Sequence, residues 1–302
     1  MRIALVGLGD IAQKAYLPLL TSDERVTPLL CTRNSTVLDK LARQYRIAEC
    51  FTEVADLLAS RPDAVMIHAA TAVHLELATQ CLRACIPTFV DKPLCDTFAG
   101  VESLANIAIA KNSPLFVGFN RRYLPAMSEA RGQPLTELNW QKHRHALAGA
   151  PRTFLFDDFI HVLDSLCYYG GTPDRDLHAV LRRCARQPEL LAGVSVAWQS
   201  GQVAVSGSMN RSAGITEERI DAYGDNLSLH IENCTRGTMA RDKSVLTLAP
   251  DDWQPVLTQR GFVAMLAHWY QQIETGRADG ALIESYLHGH RLAEQLVTLV
   301  GE

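Results

Sequence analysis

The spacing of apolar residues changes once along this chain, near Pro125. Before that point, short apolar runs at residues 2–6, 26–31, 64–68, 88–90 and 115–118 alternate with stretches of helical spacing at about 11–20, 36–45, 73–84 and 97–111. Strand-length apolar runs alternating with amphipathic helices predict a parallel sheet flanked by helices. After Pro125 the period becomes two, over 135–143, 177–186, 191–199, 202–209, 215–223 and 227–232. This pattern predicts a large, mostly antiparallel open sheet with one covered face. Ser200-Gly201, Asp225-Asn226 and Arg236-Gly237 read as turns between its strands. A helical pattern at 154–169 interrupts the strands and stops at Gly170-Gly171-Thr172-Pro173, and two more helical patterns fill 261–300. The fold class expected is α/β, with one domain over 1–120 and a second over 121–302.

Charge narrows the range of ligands. The 302 residues carry 29 basic and 33 acidic side chains, a net of −4, so no overall basic bias favours nucleic acid or an anionic membrane, and a small molecule is the default ligand. Met1 to Val6 runs straight into glycine, leaving no room for a signal peptide, and no stretch approaches the roughly 20 apolar residues of a spanning helix. The expected location is the cytoplasm. Eight cysteines are scattered without a Cys-x-x-Cys pair and read as reduced thiols. Cys81 and Cys85, His143 and His145, and His288 and His290 lack a zinc-like context, so no metal is expected.

Candidate chemistry begins at Gly7-Leu8-Gly9-Asp10-Ile11-Ala12, between the first strand and the first helix. The glycines Gly7 and Gly9 permit a tight turn and close approach of a pyrophosphate, Ala12 allows close helix packing, and the helix start at Asp10 and Ile11 offers amide donors. The second strand ends in Thr32-Arg33-Asn34-Ser35, where an NAD site would place an acid on the ribose hydroxyls. Thr32 and Arg33 instead suit a 2′-phosphate, so NADP is favoured, with NAD possible. The loop 69–74 leaves the same edge of the sheet, and its His74 either lines the crevice or caps a helix. Phe89-Val90-Asp91-Lys92-Pro93-Leu94 ends a strand on that edge as well; Lys92 there is either catalytic or an ordinary solvated lysine. Asp157, His161 and Asp164, spaced by four and three, are expected on one helix face.

These segments, with Thr71 and His74, Val117-Gly118-Phe119-Asn120-Arg121-Arg122-Tyr123, Gln141-Lys142-His143-Arg144 and Gln259-Arg260-Gly261-Phe262-Val263, occur in the order found in Gfo/Idh/MocA oxidoreductases, and the chain resembles the MviM-like bacterial members of that family. The resemblance implies a Rossmann domain followed by an α/β domain whose sheet forms the interface of a homodimer or larger homo-oligomer. It implies an enzyme moving a hydride between a nicotinamide and a carbon of a sugar, polyol or related molecule. It carries Thr71, His74, Lys92, Asn120 and Arg122 to the cofactor, and Lys92, Asp157 and His161 to catalysis. Histidine exchanges protons near neutral pH, so His161 is the expected general acid/base, oriented by Asp157, while Lys92 holds the reacting oxygen.

Lys142 and His143, with Arg144, either face an anionic substrate or form a solvated basic cluster. Three positions depart from the family pattern: Asp91 for the usual glutamate, Phe159 for a small residue, and Phe154-Leu155-Phe156 for a glycine-rich run. The competing readings are a non-catalytic NADP-binding redox sensor or interaction protein and a redox-assisted glycosidase.

Overall fold

The structure, a computed structural model, describes residues 1–175 and 177–301. The chain divides into two compact units, one of Met1–Gly118 with Phe262–Glu284, the other of Phe119–Gly261 with Ser285–Glu302.

The first unit holds six parallel strands: β1 (Arg2–Val6), β2 (Thr27–Cys31), β3 (Cys50–Phe51), β4 (Ala64–Ile67), β5 (Thr88–Val90) and β6 (Leu115–Val117). Their order, β3-β2-β1-β4-β5-β6, reverses direction between β1 and β4. A ligand crevice forms at such a reversal, beyond the carboxyl ends of the strands. The strands are short and apolar because both sheet faces are covered: every residue of β4, β5 and β6 is buried.

Residues 262–284, which the sequence pattern grouped with the second domain, cluster with this unit. The helix Phe262–Thr275 explains why: its Trp269 lies 5.9 Å from the Phe89 ring and 5.6 Å from Phe116, in the aromatic core that also contains Tyr16. That link comes from tertiary packing between residues some 150 or more positions apart, which local periodicity does not carry.

The second unit is built on eight strands: β7 (Leu135–His143), β8 (His178–Arg183), β9 (Leu191–Ser200), β10 (Val203–Asn210), β11 (Glu217–Gly224), β12 (Leu227–Glu232), β13 (Arg236–Arg241) and β14 (Ser244–Leu248). Their order is β14-β13-β12-β11-β7-β10-β9-β8, antiparallel throughout except where β10 runs parallel to β7. Alternation along β9 buries Val194, Val196 and Trp198 and exposes Ser195 and Ala197, so one face carries the core.

Two expectations are corrected. Arg236-Gly237 begins β13, and the turn lies at residues 233–235. Gly237 is in the strand for a steric reason: a Cβ there would overlap the His230 carbonyl of β12. In addition, the helical stretches 10–22 and 151–170 are not regular α-helix but contain π-helical turns at Ala12–Tyr16 and Phe154–Phe159. Among the described residues, no helix is long and apolar enough to cross a membrane.

Candidate active site

In the first unit the turn after β1 has the form that the glycine spacing anticipates. Gly7 has φ +87°, and a Cβ there would come within 2.5 Å of the Ala69 nitrogen, so only glycine fits between the β1 and β4 ends. At Gly9 an added Cβ meets nothing within 4 Å, which leaves open space in front of the turn. Helix begins at Asp10, and Gln13, not singled out from the sequence, braces the turn by donating to the Leu8 carbonyl at 2.7 Å. Asp10 pairs outward with Lys14 at 2.8 Å, Ile11 is exposed and Ala12 is fully buried. A glycine-lined opening at a helix start is a fitting cradle for a dinucleotide pyrophosphate.

At the end of β2, Thr32 Oγ1 accepts from the Asn34 amide at 3.4 Å, and Asn34 caps the helix Ser35–Tyr45 through the Val37 amide. Arg33 is exposed beside them. Thr71 opens a short turn after β4, and His74 follows it, buried, with Nδ1 2.9 Å from the Pro93 carbonyl and Nε2 3.0 Å from the Ala69 carbonyl. His74 thus ties the loop after β4 to the segment after β5. Asp91 accepts from the Lys92 amide at 2.9 Å and from the Tyr16 hydroxyl at 3.4 Å, and removal from water pushes its carboxyl above the usual range. The shorter acid that stands in place of the family's glutamate is therefore engaged with the backbone at Lys92 and with a buried tyrosine.

In the second unit the helical stretch 151–170 carries Asp157, His161 and Asp164, expected from the sequence, and Asp158, which was not. Asp158, one residue beyond the expected Asp157, takes Lys142 Nζ at 2.5 Å, Arg144 at 2.8 and 3.0 Å, and Arg211 at 2.9 Å. Burial opposes its ionisation, but the bonds from Arg144 and Lys142 outweigh it and hold the carboxyl far below the ordinary range. Lys142 itself is pushed down to about 7, chiefly by burial and by the nearby Arg121. Asp157 is half-buried, whereas His161 and Asp164 are buried.

His161 meets a residue that the sequence reading did not choose. Arg121 Nη1 lies 3.2 Å from His161 Nδ1 and 3.1 Å from Asn120 Oδ1. Its Nε and Nη2 donate to Glu218 at 2.9 and 2.8 Å, and Glu218 also receives Trp140 Nε1 at 2.9 Å. Asn120 is oriented in turn by donating to the Arg260 carbonyl at 2.9 Å. Arg122, the expected cofactor residue, points elsewhere. It donates to both oxygens of Asp164 and to the hydroxyl and carbonyl of Ser285, and its guanidinium lies over the Tyr168 and Tyr286 rings. The 120–123 turn sends successive side chains in different directions, so two adjacent arginines take different roles. The available signal was the charge of the second-unit strands: Glu218 and Lys142 sit at paired positions on β11 and β7.

On β7 the pleat separates Lys142 from His143. Lys142 shares the covered face with Leu138 and Trp140, while His143 alternates to the other face, where its Nδ1 accepts from the Asn210 amide at 3.1 Å.

The residues 1–119 match the family model described as "Oxidoreductase family, NAD-binding Rossmann fold", and 124–242 match "YceM-like, C-terminal domain". The Salmonella typhimurium protein "Putative oxidoreductase YceM" is 30% identical over 98% of this chain and 97% of its own. A solved Gfo/Idh/MocA family oxidoreductase from Vibrio cholerae is 42% identical over 100% of both chains, with a TM-score of 0.93. The Streptomyces leeuwenhoekii myo-inositol dehydrogenase Hyg17 is 33% identical over 32% of this chain and 29% of its own.

Proposed function

Because the chain belongs to the Gfo/Idh/MocA oxidoreductase family, we propose that it moves a hydride between a nicotinamide cofactor and a hydroxyl or carbonyl carbon of a sugar, polyol or related small molecule. One observation carries this reading. The Gly7–Gly9 turn, the Thr71–His74 loop and Lys92 follow β1, β4 and β5, and so leave the same edge of one parallel sheet at its reversal point. The partial likeness to a myo-inositol dehydrogenase supports the polyol side of the proposal.

The turn from Gly7 to Ala12 would hold the pyrophosphate, and Thr32 with Arg33 the adenosine ribose end, which favours NADP because no acid stands there to prefer the free 2′-hydroxyl. The nicotinamide, when bound, supplies the redox step. Lys92 and His161 serve the reacting oxygen, and Asp157 orients the site. Lys142 and His143 are left out of the substrate set, since the first is turned onto Asp158 and the second lies on the opposite face of β7. Asn120 is assigned to holding Arg121, and Arg122 to the interior, in place of cofactor contacts. A homodimer or larger homo-oligomer through the eight-stranded sheet belongs to the same proposal, and light scattering tests it; the edge strands β8 and β14 expose Val180, Val245 and Leu246.

A sugar and polyol panel with both nicotinamide cofactors, oxidised and reduced, tests the activity. Lys92→Ala and His161→Ala are expected to lose most turnover while still binding nucleotide. No turnover on any member, combined with tight nucleotide binding, would favour a non-catalytic nucleotide-binding sensor.

A further inference from the structure

The contact between Arg121 and His161 restricts what the histidine can do. A guanidinium has donors and no acceptor, so His161 Nδ1, 3.2 Å from Arg121 Nη1, accepts. A neutral imidazole that accepts at Nδ1 carries its one proton on Nε2. The arginine is not free to swing away, since Glu218 holds Nε and Nη2, and Asn120 shares Nη1. The charged groups around it come from several elements: Glu218 from β11, Lys142 from β7 and Asp158 from the helical stretch 151–170. Asp157 lies on the same stretch, one turn before His161.

We propose that Arg121 is a positioning residue that fixes His161 as the Nε2-protonated, neutral tautomer, so that His161 meets the reacting oxygen as a hydrogen-bond donor and not as the proton carrier. To act as a base at Nε2, the ring would have to move its proton to Nδ1 and break the Arg121 contact. To act as an imidazolium, it would have to point an N–H at a guanidinium. Both routes lose the 3.2 Å bond and add repulsion between two donors. A neutral histidine used as an electrophile polarises a carbonyl or holds a hydroxyl oxygen without exchanging its own proton. The proton that leaves or reaches that oxygen then belongs to another group. The tautomer follows from the second unit alone; its role at a reacting oxygen rests on the dehydrogenase reading.

Two-bond proton–nitrogen correlation spectra of the whole protein labelled with ¹⁵N-histidine test this, with His161 assigned by the peaks missing in His161→Gln. The expected result near neutral pH is an unprotonated Nδ1 and a protonated Nε2, in the wild type and in Arg121→Lys, which keeps a donor. Arg121→Met combined with Glu218→Gln removes the guanidinium and its buried partner charge together, and there the ring should return to a mixture of tautomers. A proton on Nδ1 in the wild type, in either a neutral or a doubly protonated ring, would overturn the proposal. With a turned-over substrate in hand, Arg121→Met/Glu218→Gln should lower kcat by about a hundredfold at little change in cofactor affinity, with partial rescue by Arg121→Lys. If no substrate is turned over but the spectra show the Nε2 proton, the dehydrogenase reading fails and the tautomer assignment stands.

Discussion

Arg122 and Asp164 form a two-bond ion pair in the interior of the second unit, with Nε 2.9 Å and Nη2 2.6 Å from the two carboxylate oxygens and side chains only 2% and 1% exposed. Removing one partner leaves the other charged and enclosed. Arg122→Met is therefore expected to destabilise the protein by about 3–5 kcal/mol, while Arg122→Met with Asp164→Leu recovers much of that loss. Chemical denaturation of the three proteins checks the order.

Adjacent aspartates should respond differently. Asp158 accepts from Lys142, Arg144 and Arg211, so Asp158→Asn takes the carboxylate from two arginines, drives the already lowered Lys142 to its neutral form, and should cost about 3 kcal/mol or more of stability. Asp157→Asn should leave the melting temperature within a few degrees and act on turnover instead. Thermal unfolding and steady-state rates on both variants distinguish the residues, and the reverse pattern would exchange their roles.

Acid should weaken the second unit through Glu218. Burial opposes its ionisation, yet Arg121 overcomes this and brings the carboxyl down to about 2. The folded value is depressed, so its contribution is present above the ordinary value near 4.5 and is lost as pH falls from there towards 2. The amount at stake is about 3 kcal/mol. Glu218→Gln should be less stable at pH 7 and show a flatter decline over that window in denaturant titrations.

On the proposed phosphate assignment, cofactor choice depends on one exposed side chain, Arg33. Arg33→Ala should weaken NADP binding by about tenfold or more and leave NAD nearly unchanged, as measured by fluorescence titration of the nucleotides. Unchanged NADP affinity, or tighter binding of NAD to the wild type, would remove Arg33 from the phosphate assignment.

Much of the fold could be read from the sequence because it is written in local period. Apolar runs such as Ala64–Ile67 marked strands buried on both faces, and alternation along Leu135–His143 marked a sheet covered on one side. β13 and β14 escaped because their residues are mostly exposed or half-buried, leaving no clear alternation to read. The candidate site was legible where backbone geometry demands a residue type, as at Gly7, and less so where three-dimensional pairing chooses among neighbours. The pairs Asp157 and Asp158, and Arg121 and Arg122, look alike in sequence. Only their partners on β7, β10–β11 and the C-terminal helix Gly280–Val300 tell them apart.

The π-helical turns Ala12–Tyr16 and Phe154–Phe159 fall in the helix that follows the Gly7–Gly9 turn and in the stretch that carries His161. Such a turn stores one surplus residue, and a regular α-helix rotates by about 100° per residue. Deleting a single residue within 154–159 would therefore remove the surplus and leave regular α-helix with the flanking registers kept, so that His161 stays at Arg121 and Asp164 at Arg122. The same deletion between His161 and Asp164, where the helix is regular, has no such reserve and would turn Asp164 by about 100° relative to His161. The six-residue segment is thus a place where this helix can lose a residue without parting the two pairs.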